Sequence, residues 1–166
     1  MTTQILIEDR FVCSAESLYK LLSDNAFDDK LMDALSMRKE LLDSHEVPGG
    51  VQYRIRLTNP EDIPAIAVKF TGAHLSYVET RTWQNATSSN TWIIEPEVRG
   101  ATVEAKGKTE IVPADGGCVR RTTGTISVDL PLIGKKIESM VLESITATFK
   151  KNAKYCQDYL RENGIS

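Results

Sequence analysis

Few residues of this sequence stand in arrangements that perform chemistry. The chain has two histidines, His45 and His74, and neither lies in an HExxH or HxxxH pattern or beside a cysteine. A metal centre or a histidine-activated nucleophile therefore has weak support. The motifs GxSxG, GxGxxG and GxxxxGK[ST] are absent, which removes the simplest arguments for an α/β-hydrolase, a dinucleotide-binding fold or a P-loop. The sequence assigns no catalytic residue, no metal ligand and no cofactor.

Ionisable side chains on predicted strands are the remaining candidates for chemistry. Glu79, Glu95 and Glu104 could supply a general base if they faced a cavity, although charge on a strand more often faces water. The pairing of the last two predicted strands places Arg120 on the apolar face of their hairpin, near its mouth. There its guanidinium could anchor a ligand carboxylate or phosphate, or its side chain could extend to water.

The composition favours a soluble cytoplasmic protein that does not bind nucleic acid. The 166 residues carry 20 Lys and Arg against 23 Asp and Glu, a formal charge of −3, and the basic residues are scattered. No apolar run approaches the roughly 18 to 20 residues that span a bilayer, and we expect no export signal. Cys13, Cys118 and Cys156 are odd in number and widely spaced, which favours three reduced thiols.

The hydrophobic periodicity predicts one domain of the α+β class over residues 1–166. Residues 3–12 alternate apolar and polar side chains, as a half-buried strand does. Ser14 stands at the N-cap of a first short helix, and residues 27–35 have the apolar spacing of a second. Six further strands, which favour an antiparallel meander, are expected near residues 36–46, 51–59, 74–84, 89–97, 101–113 and 117–130.

The last third of the chain predicts a single helix of roughly 28 residues. After Pro131 there is no proline, and two adjacent rows repeat every four residues, an apolar one from Ile133 to Ala153 and a mixed one from Met140 to Leu160. No second long helix exists to cover this surface, so the sheet must cover it. We therefore expect a curved antiparallel sheet that curls around the C-terminal helix.

The hairpin of the last two strands indicates where that sheet leaves room. If Asp115 and Gly116 are the central residues of its turn, Gly107 lies opposite Gly124. The same face then carries small or apolar pairs: Ala105 with Ile126, Val103 with Val128, and Thr109 with Thr122. Two interpretations of the paired glycines stay open: a void between sheet and helix, or sharp curvature of the sheet without a void.

The order of elements resembles the helix-grip, or START-like, superfamily, also called SRPBCC or Bet v 1-like. IEDRFVCSAESLYKLLSD (7–24) is similar to that superfamily's first strand and helix, and ISVDLPLIGKKIESMVLESI (126–145) to its strand-to-helix junction. Residues 128–138, Ile63-Pro64 and Trp83 are similar to a bacterial branch of unknown function, and the strand–Pro–helix arrangement to sterol- and phospholipid-transfer members. The resemblance implies seven strands around the long helix, with a cavity that takes sterols, lipids, polyketides or other hydrophobic molecules.

Our first hypothesis is the binding, and intracellular transfer, of a sterol-like or other lipid in this cavity. The expected ligand-binding residues are Tyr53, Ile55, Leu57, Tyr77, Trp92, Ala105, Gly107, Thr122, Gly124, Ile126, Ile137, Met140, Val141, Ser144 and Ile145. Residues 60–73 have helical spacing between two strands, and Ile63, Ile66 and Phe70 would form a gate that also offers a transient membrane contact. Alternatively, this segment is a surface helix packed on the sheet edge.

Two other functions stay open. A polyketide cyclase-like or other small-molecule enzyme could use the same cavity, and a polar cluster converging on the cavity would favour it. A protein-interaction module with a filled cavity is the second alternative, which voids too small for a drug-sized molecule would favour. The sequence does not decide between these functions.

Overall fold

The structure, a computed structural model, describes residues 2–166 and contains the predicted helices and strands in the predicted order. Ser14 accepts a hydrogen bond from the backbone N of Ser17 (3.0 Å) and caps α1 (Ala15–Leu22). Asp24 caps α2 (Asn25–Ala34) in the same way, with 3.0 Å to the N of Ala26. These short side-chain acceptors satisfy helix N–H groups that have no partner within the helix.

Seven strands form one antiparallel sheet in the order β1-β7-β6-β5-β4-β3-β2, so the first and last strands lie side by side. Their bounds are β1 (Thr3–Phe11), β2 (Arg38–Val47), β3 (Gly50–Asn59), β4 (Leu75–Gln84), β5 (Ser89–Pro96), β6 (Thr102–Ala114) and β7 (Gly117–Asp129). The predicted seven-stranded sheet is confirmed. The predicted second strand begins two residues early because Ser36 has φ of 57°, a left-handed turn that strand geometry does not allow.

The long C-terminal helix, α4 (Gly134–Glu162), packs against the curved sheet, with contacts to β1 and β7. Its C-terminal half joins the core that contains α1 and α2, through Ala153, Cys156 and Leu160. Its N-terminal half lies against a second cluster around Trp92 and Ile126. The fold is the predicted helix-grip arrangement. None of the helices within residues 2–166 is long and apolar enough to cross a membrane.

Glu138 fastens the N-terminal half of α4 to the sheet. Its buried carboxylate accepts hydrogen bonds from the hydroxyl of Thr3 (2.6 Å), the backbone N of Val128 (3.0 Å) and the Nζ of Lys135 (3.1 Å). These bonds, that from Thr3 first, lower the pKa of Glu138 to about 2. The group is therefore ionised at neutral pH, and α4 is held to β1 and β7 by charge-assisted hydrogen bonds.

Candidate ligand-binding cavity

A cavity of about 500 Å³ lies between the sheet and α4. Inward-facing residues of β3 to β7 form one wall, and the N-terminal half of α4 forms the other. The segment that contains α3 (Ala65–Thr71), between β3 and β4, and the apolar side chains of α2 complete the enclosure. Alternation along each strand puts every second side chain on this face, so the inward residues of the period-two pattern line the cavity.

Ten of the fifteen predicted ligand-binding residues lie on the cavity wall. They are Leu57, Tyr77, Trp92, Ala105, Thr122, Ile137, Met140, Val141, Ser144 and Ile145. The helix residues among them belong to two adjacent i, i+4 rows of α4, which face the sheet together. Their contact with a ligand stays a prediction.

The paired glycines do not line the cavity. The predicted register is confirmed, with Gly107 opposite Gly124. However, the indole of Trp92 on β5 extends sideways over both glycines. A Cβ atom on Gly107 would overlap Cζ2 of Trp92 and the backbone oxygen of Thr123. One on Gly124 would lie 2.8 Å from Cη2 of Trp92 and 2.5 Å from the backbone oxygen of Lys106. The space left by the missing side chains is therefore filled by tryptophan, and the cavity lies beside it.

Three other predicted lining residues are also absent from the cavity wall. Ile126 is fully buried in the cluster around Trp92, beneath the cavity surface. Tyr53 and Ile55 border a separate pocket of about 10 Å³ under α2, which has room for no more than a water molecule. The hydroxyl of Tyr53 donates to the carbonyl oxygen of Ser23 at 3.4 Å, away from the large cavity.

The predicted gate is divided between the cavity and the surface of the protein. Ile63 lines the cavity, together with Ala67 and Thr71, which follow it at intervals of four residues. Ile66 and Phe70 are not on the cavity wall, because the same spacing places them on another side of the segment. Phe70 lies near the β5–β6 connection, where its carbonyl oxygen accepts from the N of Arg99 at 2.8 Å. Of the three predicted gate residues, only Ile63 is placed to border a ligand.

A nearly enclosed ionic cluster, with members on β4, α2 and β2, borders the cavity, and of these members only Glu79 was a candidate from the sequence. Arg81 donates from Nε and Nη2 to Glu79 (3.0 and 3.1 Å) and from Nη1 to Asp28 (2.8 Å). Lys39 lies 2.7 Å from the other oxygen of Asp28. Burial alone would raise the pKa of Asp28, but the two cations outweigh it, so the pKa is lowered. Asp28 and Arg81 therefore both carry their charges at neutral pH.

The sequence contained a pattern that could have located part of this cluster. Tyr77 was expected to face inward, and strand alternation puts Glu79 and Arg81 on the same face. Glu95 and Glu104 are exposed, as charge on a strand usually is. The participation of Asp28 could not be anticipated, because it depends on α2 packing against β4.

Arg120 also lies on the cavity wall, and it does not extend to water. It is 3% exposed, and its guanidinium donates to Asp9 (2.8 Å) and to Asn152 (2.7 Å). The rings of Phe11 and Phe149 lie on it at 5.3 and 5.2 Å from their centroids, which are cation–π distances. The predicted anchoring of a ligand anion by Arg120 is not favoured, because its guanidinium is already paired with the carboxylate of Asp9.

Several uncharged polar groups lie beside these ions. The hydroxyls of Thr109 and Thr122 are 3.0 Å apart and bond to each other. Within residues 2–166, Oδ1 of Asn90 and Nε1 of Trp92 are sealed from solvent and have no hydrogen-bond partner. The cavity wall therefore has an apolar portion, around Ile94, Ala105 and α4, and a polar portion on β4, β5 and β7.

The cysteines do not add a reactive centre to the site. Cys13, Cys118 and Cys156 are free thiols buried in the core. Burial raises the pKa of Cys118 to about 12 and that of Cys156 to about 11, so neither is a thiolate at neutral pH. In the described part of the chain, no three His, Cys, Asp or Glu side chains are grouped so that they could hold a metal ion.

A family model described as a protein of unknown function, DUF2505, matches residues 7–160, so the chain belongs to that family. A search of curated proteins found no match. The predicted resemblance to a family of unknown function is thereby confirmed.

Solved structures share the fold at low sequence identity. Norcoclaurine synthase from Thalictrum flavum, in complex with dopamine and hydroxybenzaldehyde, has a TM-score of 0.66 at 18% identity, over 95% of this chain and 88% of that one. Ara h 8.0201 has a TM-score of 0.65 at 17% identity, over 93% and 97%. The Zhui aromatase/cyclase from Streptomyces sp. R1128 has 0.55 at 12%, over 95% and 89%. These similarities establish the Bet v 1-like helix-grip fold, and none of the three names is that of a sterol-transfer protein.

Proposed function

We propose that this member of the DUF2505 family binds a hydrophobic small molecule, a sterol-like or other lipid, in the cavity between the sheet and α4. The cavity volume of about 500 Å³ carries the proposal. Protein interiors are close-packed, with few voids larger than a water molecule. Pockets that bind small molecules have volumes of roughly 300 to 1,000 Å³. A void of this size is therefore typical of a binding site.

The chemistry of the wall supports the same proposal. Ile94, Ala105, Ile137 and Val141 surround the space with apolar side chains from both sheet and helix. Burial of apolar ligand surface contributes roughly 25 cal/mol per Å², so each 100 Å² covered contributes about 2.5 kcal/mol before ordering costs. Affinity would come mainly from this burial, and the polar groups of the wall would set the orientation of the ligand.

Transfer of the ligand between membranes within the cytoplasm is the finer part of the proposal. The α3 segment and the junction between β7 and α4 lie at the same end of the sheet. In this antiparallel order, β3 and β7 both end there and β4 begins there. Val68 on α3 and Leu132 at the junction are exposed large apolar side chains. Such side chains at the end where the α3 segment borders the cavity would suit transient contact with a membrane during loading and release.

Native mass spectrometry of the purified protein, followed by lipid extraction, tests binding directly. We expect an additional bound mass, or binding when a panel of sterols and phospholipids is added. Val141→Trp, which puts an indole into the cavity, should abolish ligand binding. Ile93→Trp is the matched control, because Ile93 is exposed on the outer face of the sheet, next in sequence to the inward Ile94. Empty protein that binds no member of the panel would contradict the proposal.

A second candidate is a cyclase-like or other small-molecule enzyme that uses the same cavity. The observation that favours it is the convergence of Glu79, Arg81 and Tyr77 on the cavity wall. Burial, and next the charge of Glu79, raise the pKa of Tyr77, so its hydroxyl keeps its proton and could polarise a substrate carbonyl. Conversion of a poly-β-ketone mimic, followed by liquid chromatography and mass spectrometry, would test this role. Loss of conversion in Glu79→Gln but not in Glu95→Gln is expected, and no conversion by the wild type would contradict it.

The third alternative, an interaction module with a filled cavity, required voids too small for a drug-sized molecule. A cavity of about 500 Å³ does not meet that condition. We therefore favour a ligand-binding role over an interaction role.

A further inference from the structure

The hydroxyl of Tyr77 differs from those of Tyr19 and Tyr53, which have partners in the protein. Tyr19 donates to Asn85 at 2.7 Å, and Tyr53 donates to the carbonyl oxygen of Ser23 at 3.4 Å. Within residues 2–166, no protein group makes a hydrogen bond with the hydroxyl of Tyr77, and its oxygen is not among the sealed polar atoms. Tyr77 lies on the cavity wall, so the open space at this hydroxyl is the cavity.

The surroundings of this hydroxyl make it a neutral group that can both donate and accept. Its cross-strand neighbours are Leu57 on β3 and Pro96 on β5, which offer it no polar side chain. Glu79, the next inward residue of β4, has both oxygens bonded to Arg81. Burial keeps the phenol protonated, because its pKa is raised. A ligand atom is therefore the available partner for this group inside the cavity.

The charges on the wall disfavour an anionic ligand. The two guanidiniums on the wall, Arg81 and Arg120, are each bonded to carboxylates of the protein. Lys39, just behind the wall, is bonded to Asp28. The ionisable groups of the wall are the carboxylates Asp28, Glu61, Asp62 and Glu79 and the guanidiniums Arg81 and Arg120, so negative groups are in excess. A fatty acid or phosphate ester that entered would lose its hydration and find no unpaired cation among the described residues of the cavity wall.

From the unpartnered hydroxyl and the compensated charges we infer that the cavity selects a neutral, mostly apolar molecule that carries a hydroxyl or carbonyl oxygen. That oxygen forms a hydrogen bond with the hydroxyl of Tyr77, while the remainder of the molecule lies against the apolar residues of β5, β6 and α4. This inference rests on the proposed function and narrows its ligand class: neutral alcohols and ketones, sterol-like ones among them, are accepted, and lipid anions are excluded.

Four matched fluorescent probes test this selectivity: pyrene, 1-pyrenemethanol, 1-pyrenecarboxylate and 1-pyrenemethylamine, each titrated with the wild-type protein. One net hydrogen bond predicts that the alcohol binds about 3- to 10-fold more tightly than pyrene. The carboxylate should bind at least about 10-fold more weakly than the alcohol, because its charge would be buried without a partner. The amine should also bind more weakly than the alcohol, since the inner carboxylates of the wall are already paired.

Tyr77→Phe should remove the preference for the alcohol over pyrene. Tyr53→Phe is the matched control, because its hydroxyl bonds to Ser23 outside the cavity, and it should keep the preference. Circular dichroism and thermal melting would establish that both variants fold. If Tyr77→Phe does not fold, the comparison of the four probes on the wild type still decides whether the cavity prefers neutral ligands to charged ones.

The possible results separate the inference from the proposed function. Three results would each overturn the inference and leave the proposed function standing. They are equal affinity for pyrene and the alcohol, a carboxylate or amine that binds as tightly as the alcohol, and a preference for the alcohol that Tyr77→Phe retains. Failure of all four probes to bind would contradict both. An alcohol preference that is lost in Tyr77→Phe and kept in Tyr53→Phe would support both.

Discussion

Replacement of Glu138 by glutamine should weaken the attachment of α4 to the sheet, and therefore the wall of the cavity. The carboxylate accepts hydrogen bonds from Thr3 (2.6 Å), the backbone of Val128 (3.0 Å) and Lys135 (3.1 Å). The amide oxygen of glutamine could keep the bond to Val128, but its NH₂ group cannot accept from Lys135. Loss of hydrogen bonds to a charged, buried group lowers the free energy of unfolding by about 1 to 3 kcal/mol.

The effect should depend on pH with a defined sign. The pKa of Glu138 is lowered from 4.5 to about 2, first by the hydroxyl of Thr3 and then by the backbone N–H of Val128. Because the folded-state pKa lies below the unfolded one, the ionised group stabilises the fold above about pH 4.5, and this contribution is lost as the pH falls toward 2. At about 1.4 kcal/mol per pKa unit, its upper limit is about 3 kcal/mol at pH 7 and about 2 kcal/mol at pH 3.5.

Urea denaturation followed by tryptophan fluorescence and circular dichroism at pH 7, 5 and 3.5 would measure this difference. Glu143→Gln is the matched control, because Glu143 is exposed on the same helix and its loss should change the free energy by less than about 0.5 kcal/mol. The reasoning is refuted if Glu138→Gln is as stable as the control at pH 7. It is also refuted if the difference from wild type does not shrink between pH 7 and pH 3.5.

Three further substitutions or treatments test other parts of the structure. Gly107→Ala should destabilise the protein by about 1 to 3 kcal/mol or more, because its Cβ would overlap the backbone oxygen of Thr123 as well as Cζ2 of Trp92; a variant as stable as wild type in urea would contradict the packing. Arg120→Met leaves a partner carboxylate unpaired and should cost about 3 to 5 kcal/mol in the same assay, whereas a loss below about 1 kcal/mol would contradict the buried pair. Cys118 and Cys156, with pKa values of about 12 and 11, should react with a thiol reagent at pH 8 only after denaturation, and prompt labelling of the native protein would contradict their burial.

The sheet was predictable because its determinants are local. The Asp115-Gly116 turn fixes the β6–β7 register, and that register alone places Gly107 opposite Gly124. Alternation then assigns each residue to one face of the sheet. The long helix was predictable for the same reason, since its helical spacing of apolar residues continues without a helix-breaking residue from Ile137 to Leu160.

The contents of the cavity were harder to predict, because they depend on side chains that reach across several strands. No periodicity indicates that Trp92 lies over the glycines of β6 and β7 and fills the space they leave. The ionic cluster requires α2 to approach β4, so that Asp28 meets Arg81 at 2.8 Å. Both are consequences of sheet curvature, which a one-dimensional pattern does not specify.

Methyl NMR of the isoleucine residues with and without 1-pyrenemethanol is the most direct test of the claim that the cavity holds a hydrophobic ligand. Ile94, Ile137 and Ile145 line the cavity, whereas Ile93 is exposed on the opposite face of β5. Ring-current shifts of Ile94, Ile137 and Ile145, with Ile93 unchanged, are the predicted result. Saturable binding that shifts Ile93 and leaves Ile94, Ile137 and Ile145 unchanged, or no shift of any methyl group, would contradict the account.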